Sequence, residues 1–261
     1  MIIATYLLAG MFAGLIAGLL GVGGGIIVVP VLILVFEAEG FSSDVLTHMA
    51  IGTSLATIVF TSFSSVLNHH RLGSVKWDLF KSLSIGIVVG AVLGVMTVLQ
   101  LDGELLKRLI GVFAVVVALR MLWGANTVSS RPLPGQKILI PVGGVIGWVS
   151  SIFGIGGGTL SVPFLSRYQI EMRQVVGTAA ACGLPIALAG ALTNVVLGMG
   201  VDGRPGWSLG YVYLPALLGV SLASMVFAKF GAKLAHRLPS QHLKKIFACA
   251  LILVGVRFLL V

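Results

Sequence analysis

Charge is what this sequence has least of. Only 10% of its 261 residues are Asp, Glu, Lys or Arg, against roughly a quarter in an ordinary soluble domain. No charged side chain occurs before Glu37. There are eight acidic residues and two cysteines, Cys182 and Cys249, both in apolar segments. So few thiols imply no disulfide framework, and the two read as buried spectators. What fills the chain instead is hydrocarbon: 57% of residues are hydrophobic and the mean hydropathy is +1.09. Residues 1–36, 45–67, 82–101, 109–119 and 138–165 are uncharged throughout, and a membrane-crossing helix needs about 20 such residues. The expectation is an all-α, polytopic membrane protein, a channel or transporter rather than a soluble enzyme. The N-terminus has no basic n-region and no small-residue cleavage site before a polar domain, so it reads as part of the mature protein. A net charge of +9 in a soluble chain would suggest nucleic acid. Here Lys and Arg fall in short loops, as membrane topology requires, and no nucleic-acid partner or cofactor is expected.

An internal repeat organises the chain. Residues 14–32 read GLIAGLLGVGGGIIVVPVL and residues 147–165 read GWVSSIFGIGGGTLSVPFL. Both fit Gly-x6-Gly-x-Gly-Gly-Gly-x3-Val-Pro-x-Leu, displaced by 133 positions. Gly52-Thr53 returns as Gly177-Thr178, Asn68 as Asn194, Leu72-Gly73 as Leu209-Gly210, Lys107 as Lys244 and Arg120 as Arg257. The reading is a first transmembrane repeat over 1–125, a polar linker over 126–137 and a second repeat over 138–261.

Basic residues suggest how the halves face. With loops at 37–44, 69–81, 102–108, 126–137, 167–173, 198–210 and 229–245, parallel halves split the Lys and Arg residues six against nine. Inverted halves split them twelve against three, the asymmetry the positive-inside rule favours, with both termini outside. Inversion requires an odd number of crossings per half. Three long spans are visible in the first, near 45–67, 80–101 and 105–123. Residues 1–36 must therefore enter and leave on one side, as short tilted helices or a re-entrant hairpin with Gly21 to Gly25 at its tip. Ile26 to Phe36, 11 residues, spans about 16 Å as helix, half the hydrocarbon thickness. The tip then lies deep, and its twin, Gly154 to Gly158, approaches from the other face.

A helix broken at that depth leaves unpaired N–H groups at the start of its second half, and these, with the helix dipole, favour an anion without Lys or Arg. Glycine lets a ligand approach the backbone. The alternative use of glycine is close helix packing. The expected site is therefore Gly23, Gly24 and Gly25 facing Gly156, Gly157 and Gly158, with Thr159 and Ser161 flanking the second tip. Further candidates are Thr53, Ser54 and Thr178, opening the following spans, and Asn68 and Asn194, ending them. Mid-span hydroxyls also commonly bond the preceding turn. Gly10, away from the tip, is expected to accept alanine silently. The run is no dinucleotide loop, since Ile26 and Thr159 stand where the last Gly of G-x-G-x-x-G belongs. Arg120 and Arg257, near span ends, read as snorkelling to the headgroups, and His48, near a span entrance, as structural or interfacial.

Taken together, GLLGVGGGIIVVPVL, SIFGIGGGTLSVPFL, IGTSLAT at 51–57, VGTAAA at 176–181 and NHHRLGSVKW at 68–77 resemble the TauE/SafE sulfite-exporter family, also called TSUP transporters, along essentially the whole chain. The resemblance implies passive or secondary transport of small sulfur oxyanions or organosulfonates, such as sulfite, sulfoacetate or taurine-related compounds. Transport in that family is usually outward across a prokaryotic cytoplasmic (inner) membrane. Substrate varies within it. Ala179 opposite Ser54, and the lack of a second His-His-Arg run, mean that the halves need not contribute equally.

An intramembrane serine hydrolase would pair Ser54 with His48, but no nucleophile elbow surrounds Ser54 and Ala179 replaces it in the repeat. A membrane scaffold would not need duplicated deep glycines. An anion channel and an uptake carrier remain as alternatives to an exporter, and a homo-oligomer is left open. All eight carboxylates lie in loops or at span ends. The expected driving force is therefore the substrate's own gradient and the membrane potential rather than a buried proton-carrying acid.

Overall fold

The computed structural model describes residues 2–20, 25–123, 132–235 and 240–260. Gly23 and Gly24, and residues 126–131 of the linker, lie outside the described residues. The helices are α1 Ile2–Leu20, α2 Gly25–Ala38, α3 Ser43–Arg71, α4 Trp77–Val98, α5 Gly103–Trp123, α6 Gln136–Ile152, α7 Gly158–Leu165, α8 Met172–Gly198, α9 Leu214–Ala235 and α10 Ser240–Leu260. A two-residue antiparallel ladder, β1 Ser208–Leu209 with β2 Val212–Tyr213, precedes α9. Among the described residues, α3, α4, α8 and Leu214–Gly231 of α9 are long and apolar enough to cross a membrane. The protein is thus an all-α, multi-pass membrane protein. The helix α5 is as long, at 21 residues, but carries Glu104, Lys107, Arg108 and Arg120 toward its ends.

Pairing between helices follows a reciprocal scheme. The most extensive contacts join α1 to α9 and α4 to α6, followed by α5 with α10 and α3 with α8. Exchanging α1–α5 for α6–α10 converts the first pair into the second and returns the other two to themselves. The sets are interleaved, because the first helix of each packs on the fourth helix of the other.

Glycine makes the two largest contacts possible. On α4, Ile85, Val89 and Leu93 are exposed, whereas Gly86, Gly90 and Gly94 occupy the opposite, packed face. A Cβ at Gly86 would lie 1.9 Å from the Ile140 carbonyl oxygen, and one at Gly90 2.0 Å from that of Gly144. Gly143 and Gly147 of α6 meet the Leu83 and Ile87 carbonyls in return, each at 2.3 Å. Small residues every fourth position let backbones touch where hydrocarbon offers no hydrophobic drive for association.

The same applies to α1 and overturns one expectation. A Cβ at Gly10 would fall 2.8 Å from both Val220 Cα and its carbonyl oxygen on α9. Gly10 is a packing residue that alanine would displace. Cys182 is buried as expected, whereas Cys249 is exposed on α10; both thiols are free. Arg257 turns toward Glu37, with Nη2 3.3 Å from the carboxylate.

Gly86→Ala and Gly10→Ala are each expected to lower stability by about 1–3 kcal/mol through overpacking against backbone. Gly206→Ala, whose Cβ would meet nothing within 4 Å, should be neutral. Thermal unfolding of the three variants in detergent checks both statements.

Candidate functional site

The Gly-rich segments fall between α1 and α2 and between α6 and α7, the first with Gly21 to Gly24 outside the described residues. The second turns between α6 and α7, where Gly154 adopts φ +59°, a left-handed conformation that glycine tolerates. The Ile155 N–H donates to the Ser150 carbonyl at 2.9 Å, closing the end of α6. The helix α7 then starts at Gly158 with Gly157 as its N-cap and no side chain capping it, which leaves first-turn N–H groups without intrahelical acceptors. It runs only 8 residues, about 12 Å. The first hairpin resumes at Gly25, and there the two tips meet. A Cβ on Gly25 would lie 2.8 Å from Ile155 Cα and 2.9 Å from the Gly156 nitrogen. Gly157 is equally close to α8, with Gly183 N at 2.6 Å and the Ala179 carbonyl at 2.7 Å from its would-be Cβ.

Beside the tips lies a cavity of about 330 Å³. Gly156, Gly157 and Gly158 form part of its wall, and Thr57, Thr61, Ser65 and His69 line it at intervals of four along α3. Ser62 of α3 and Ser224 of α9 add hydroxyls; Ala13, Ala17, Val28, Ile58, Val162 and Val176 supply apolar surface. Among the described residues no Lys, Arg, Asp or Glu lines it. The Thr57 hydroxyl donates to the Thr53 carbonyl at 2.9 Å and that of Thr61 to the Ile58 carbonyl at 3.2 Å. Those hydrogens can rotate toward a ligand. Polar, uncharged donors beside a helix N-terminus are suited to a small anion.

The expected site residues divide. The three glycines of the second tip border the cavity; Gly25 forms the contact between tips and does not line it. Ser161 is fully buried, and the hydroxyls of Ser161 and Thr159 have no partner among the described residues. Thr53, Ser54 and Thr178 lie well inside α3 and α8 rather than at their starts, because those helices begin at Ser43 and Met172. The Ser54 hydroxyl donates to the Gly154 carbonyl at 2.8 Å and so holds the turn of the second tip. Thr53 Oγ1 accepts the Tyr213 N–H and Thr178 Oγ1 accepts the Lys76 N–H, each at 3.0 Å. Gly52 and Gly177, one residue earlier, admit the same connections, since their Cβ atoms would sit 2.7 Å from the Tyr211 carbonyl and 2.4 Å from that of Ser74. Each Gly-Thr pair thus clamps the connection that follows the long helix of the other set. Asn68 is exposed near the end of α3. Asn194 is buried, donating to the Gly190 carbonyl at 2.8 Å with its own side-chain oxygen unpartnered among the described residues. The α3 stripe and Ser224 escaped the sequence reading. The four-residue spacing was available, but nothing local distinguishes a stripe lining a void from one back-bonding to its own helix.

On the other side of the tips an aromatic layer intervenes, and against it lies a smaller cavity of about 170 Å³ bordered by Glu37, Phe41, Thr47 and Lys107. Tyr6, Phe36, Phe41 and Tyr213 pack ring against ring with centroids 4.6–6.1 Å apart. The Tyr6 hydroxyl donates to Glu39. Beyond the rings, Lys107 is buried with its Nζ 2.7 Å from Glu37, whose second oxygen faces Arg257. His48 is buried there too, its Nε2 3.1 Å from the Val98 carbonyl and its ring stacked on Tyr211.

The sequence has counterparts among known proteins. A family model described as Sulfite exporter TauE/SafE matches residues 6–258. The chain is 36% identical over 257 residues to a "Probable membrane transporter protein" of Haemophilus influenzae, covering 97% of each. A protein of the same description from Methanocaldococcus jannaschii is 26% identical over 265 residues, covering 100% of this chain and 96% of its own. One from Bacillus subtilis is 25% identical over 272 residues, at 96% and 94% coverage. No solved structure matches.

Thr53→Val and Thr178→Val keep side-chain shape while removing the acceptor of a buried N–H. Each is expected to cost about 1–3 kcal/mol, read as a lower thermal midpoint of the purified protein, with little loss for Asn68→Ala at its exposed position.

Proposed function

This chain belongs to the TauE/SafE sulfite exporter family, and on that premise we propose that it exports small sulfur-containing anions, sulfite or organosulfonates, across the cytoplasmic membrane of a prokaryote. The observation that carries the reading is the junction of two Gly-rich tips beside a cavity walled by hydroxyls, exposed glycine backbone and no fixed charge. An anion seated there receives N–H and O–H donors and the positive end of α7, which bind without the grip of a buried Lys or Arg. Gly156, Gly157 and Gly158 form the floor of this site. Gly25 approaches it from the facing tip, and the hydroxyls of Thr159 and Ser161, without partners among the described residues, add donors on α7.

The two sets of helices are inverted repeats in this reading. The exchange-invariant packing supports a two-fold relation, and the basic loops support an axis lying in the membrane plane. Whether the hairpins of α1–α2 and α6–α7 cross fully or re-enter, each set makes an odd number of crossings. The cavity, lined by 57–69 of α3, 176–183 of α8 and 224–228 of α9, then opens to the cytoplasm, and the aromatic layer of Tyr6, Phe36, Phe41 and Tyr213 closes the outer side. The ring packing between this cavity and the outer side supports a carrier over a channel.

In proteoliposomes loaded with radiolabelled sulfite, an interior-negative potential should accelerate efflux, since it contributes about 2.3 kcal/mol per unit charge per 100 mV. Gly158→Val should cut that flux at least tenfold with an unchanged thermal midpoint; undiminished flux would remove the second tip from the site. Orientation is read separately, with single cysteines at Ser42 and Arg71 in a Cys182→Ala, Cys249→Ala background, both positions being exposed. An impermeant thiol reagent on intact cells should label Ser42→Cys and spare Arg71→Cys. The reverse pattern would overturn the assignment of sides.

A further inference from the structure

His69 is the cavity's one titratable lining residue among those described. It sits in the last turn of α3, and its hydrogen bonds determine which nitrogen faces outward. The Ser74 hydroxyl donates its hydrogen to the His69 carbonyl at 3.0 Å. That hydroxyl also lies 3.0 Å from His69 Nδ1. With the Ser74 hydrogen directed to that carbonyl, the Ser74 oxygen accepts from Nδ1–H, and this is the tautomer considered for the neutral ring. In the neutral imidazole Nε2 is therefore a bare lone pair, with no protein partner among the described residues. It offers nothing to an anion and repels one. Once protonated, the same Nε2 becomes an N–H donor carrying positive charge.

We infer that His69 is a protonation-dependent selectivity residue of this cavity, admitting an anion in its imidazolium form and opposing it when neutral. The inference rests on the anion-carrier reading above. Titratable groups around the ring are few. His70 and Arg71 share its helical turn and Lys76 follows in the connection to α4. From α8, Arg173 interacts electrostatically with the ring and donates to the Leu72 carbonyl at 2.5 Å. The cavity-lining stretches of α1, α2, α7, α8 and α9 contribute no ionisable side chain. No carboxylate on the wall competes with an incoming anion for the ring. Arg173 is already committed to a backbone carbonyl, so the charge that varies at the wall is that of His69.

The test measures binding of methanesulfonate, an anion that stays fully ionised, to the purified full-length protein between roughly pH 5 and 8, the range in which histidine titrates. For the wild type the apparent Kd should rise about tenfold per pH unit on the alkaline limb, as the competent protonated fraction falls. His69→Gln should bind at all pH values with the weak, flat affinity of the wild type at high pH. His69→Lys, which retains a permanent charge, should be flat and tight. His48→Gln, on the other side of the tips, should keep the wild-type slope. Thermal midpoints establish that each variant is folded. A wild-type slope retained in His69→Gln, or a flat wild-type profile with clear binding, overturns the role of His69 and leaves the anion site standing. Absence of binding at every pH overturns the anion site and this inference with it.

Discussion

Hydrocarbon supplies no hydrogen-bond partners, so a chain that interrupts its helices at membrane depth must satisfy the freed backbone from within. The rest of the molecule follows from that constraint. The turn between α6 and α7 is possible because Gly154 takes a left-handed conformation and its carbonyl receives the Ser54 hydroxyl. The connections after α3 and α8 are held because Thr178 and Thr53 accept N–H groups that would otherwise be orphaned. Each of these bonds needs two backbones within reach of one short side chain. Glycine provides the approach at Gly52, Gly177, Gly157 and along the α4–α6 and α1–α9 seams.

Electrostatics divides the molecule into a charged rim and a neutral interior. The cavity wall holds hydroxyls, glycine backbone and one imidazole. Behind the aromatic layer, the buried Lys107 pairs with Glu37, which α2 carries at its C-terminal end. A buried pair of this kind adds little net stability relative to an apolar replacement, yet losing one partner strands the other. Its evident effect is to tie the end of the first hairpin to α5 and α10. No ion pair ties α7 among the described residues, so the two hairpins are unequally restrained. That inequality parallels the cavity, which opens beside the second tip, while aromatic rings fill the space behind the first.

Several features were legible before any coordinates, each for a local reason. Uncharged runs announce membrane helices because charge is costly in hydrocarbon. The helices α3, α4 and α5 fall within a few residues of the spans read from composition. Duplicated glycine runs between apolar segments announce interruptions, and one helix ends before each run and another begins at its last glycine, with Gly21 to Gly24 outside the described residues. Acidic residues stayed at helix ends and in connections, because their scarcity inside apolar runs is itself a one-dimensional fact.

Function within those elements was less legible. Gly10 and Gly25 look alike in sequence, yet one lets α1 pack on α9 and the other lets the two tips meet. Thr53 and Thr57 lie one turn apart on α3. The first is consumed by the connection to α9 and the second faces the cavity. Arg257, read as reaching for the headgroups, instead turns to a carboxylate about two hundred residues away in sequence, and Cys249 faces outward. The sequence by itself determined which residues share a helix and how apolar that helix is, because periodicity and composition are properties of a single segment. Only the tertiary structure decided which stripe meets a neighbour and which borders a void. That choice depends on how helices distant in sequence pair, and glycine, serine and threonine serve both outcomes with the same chemistry.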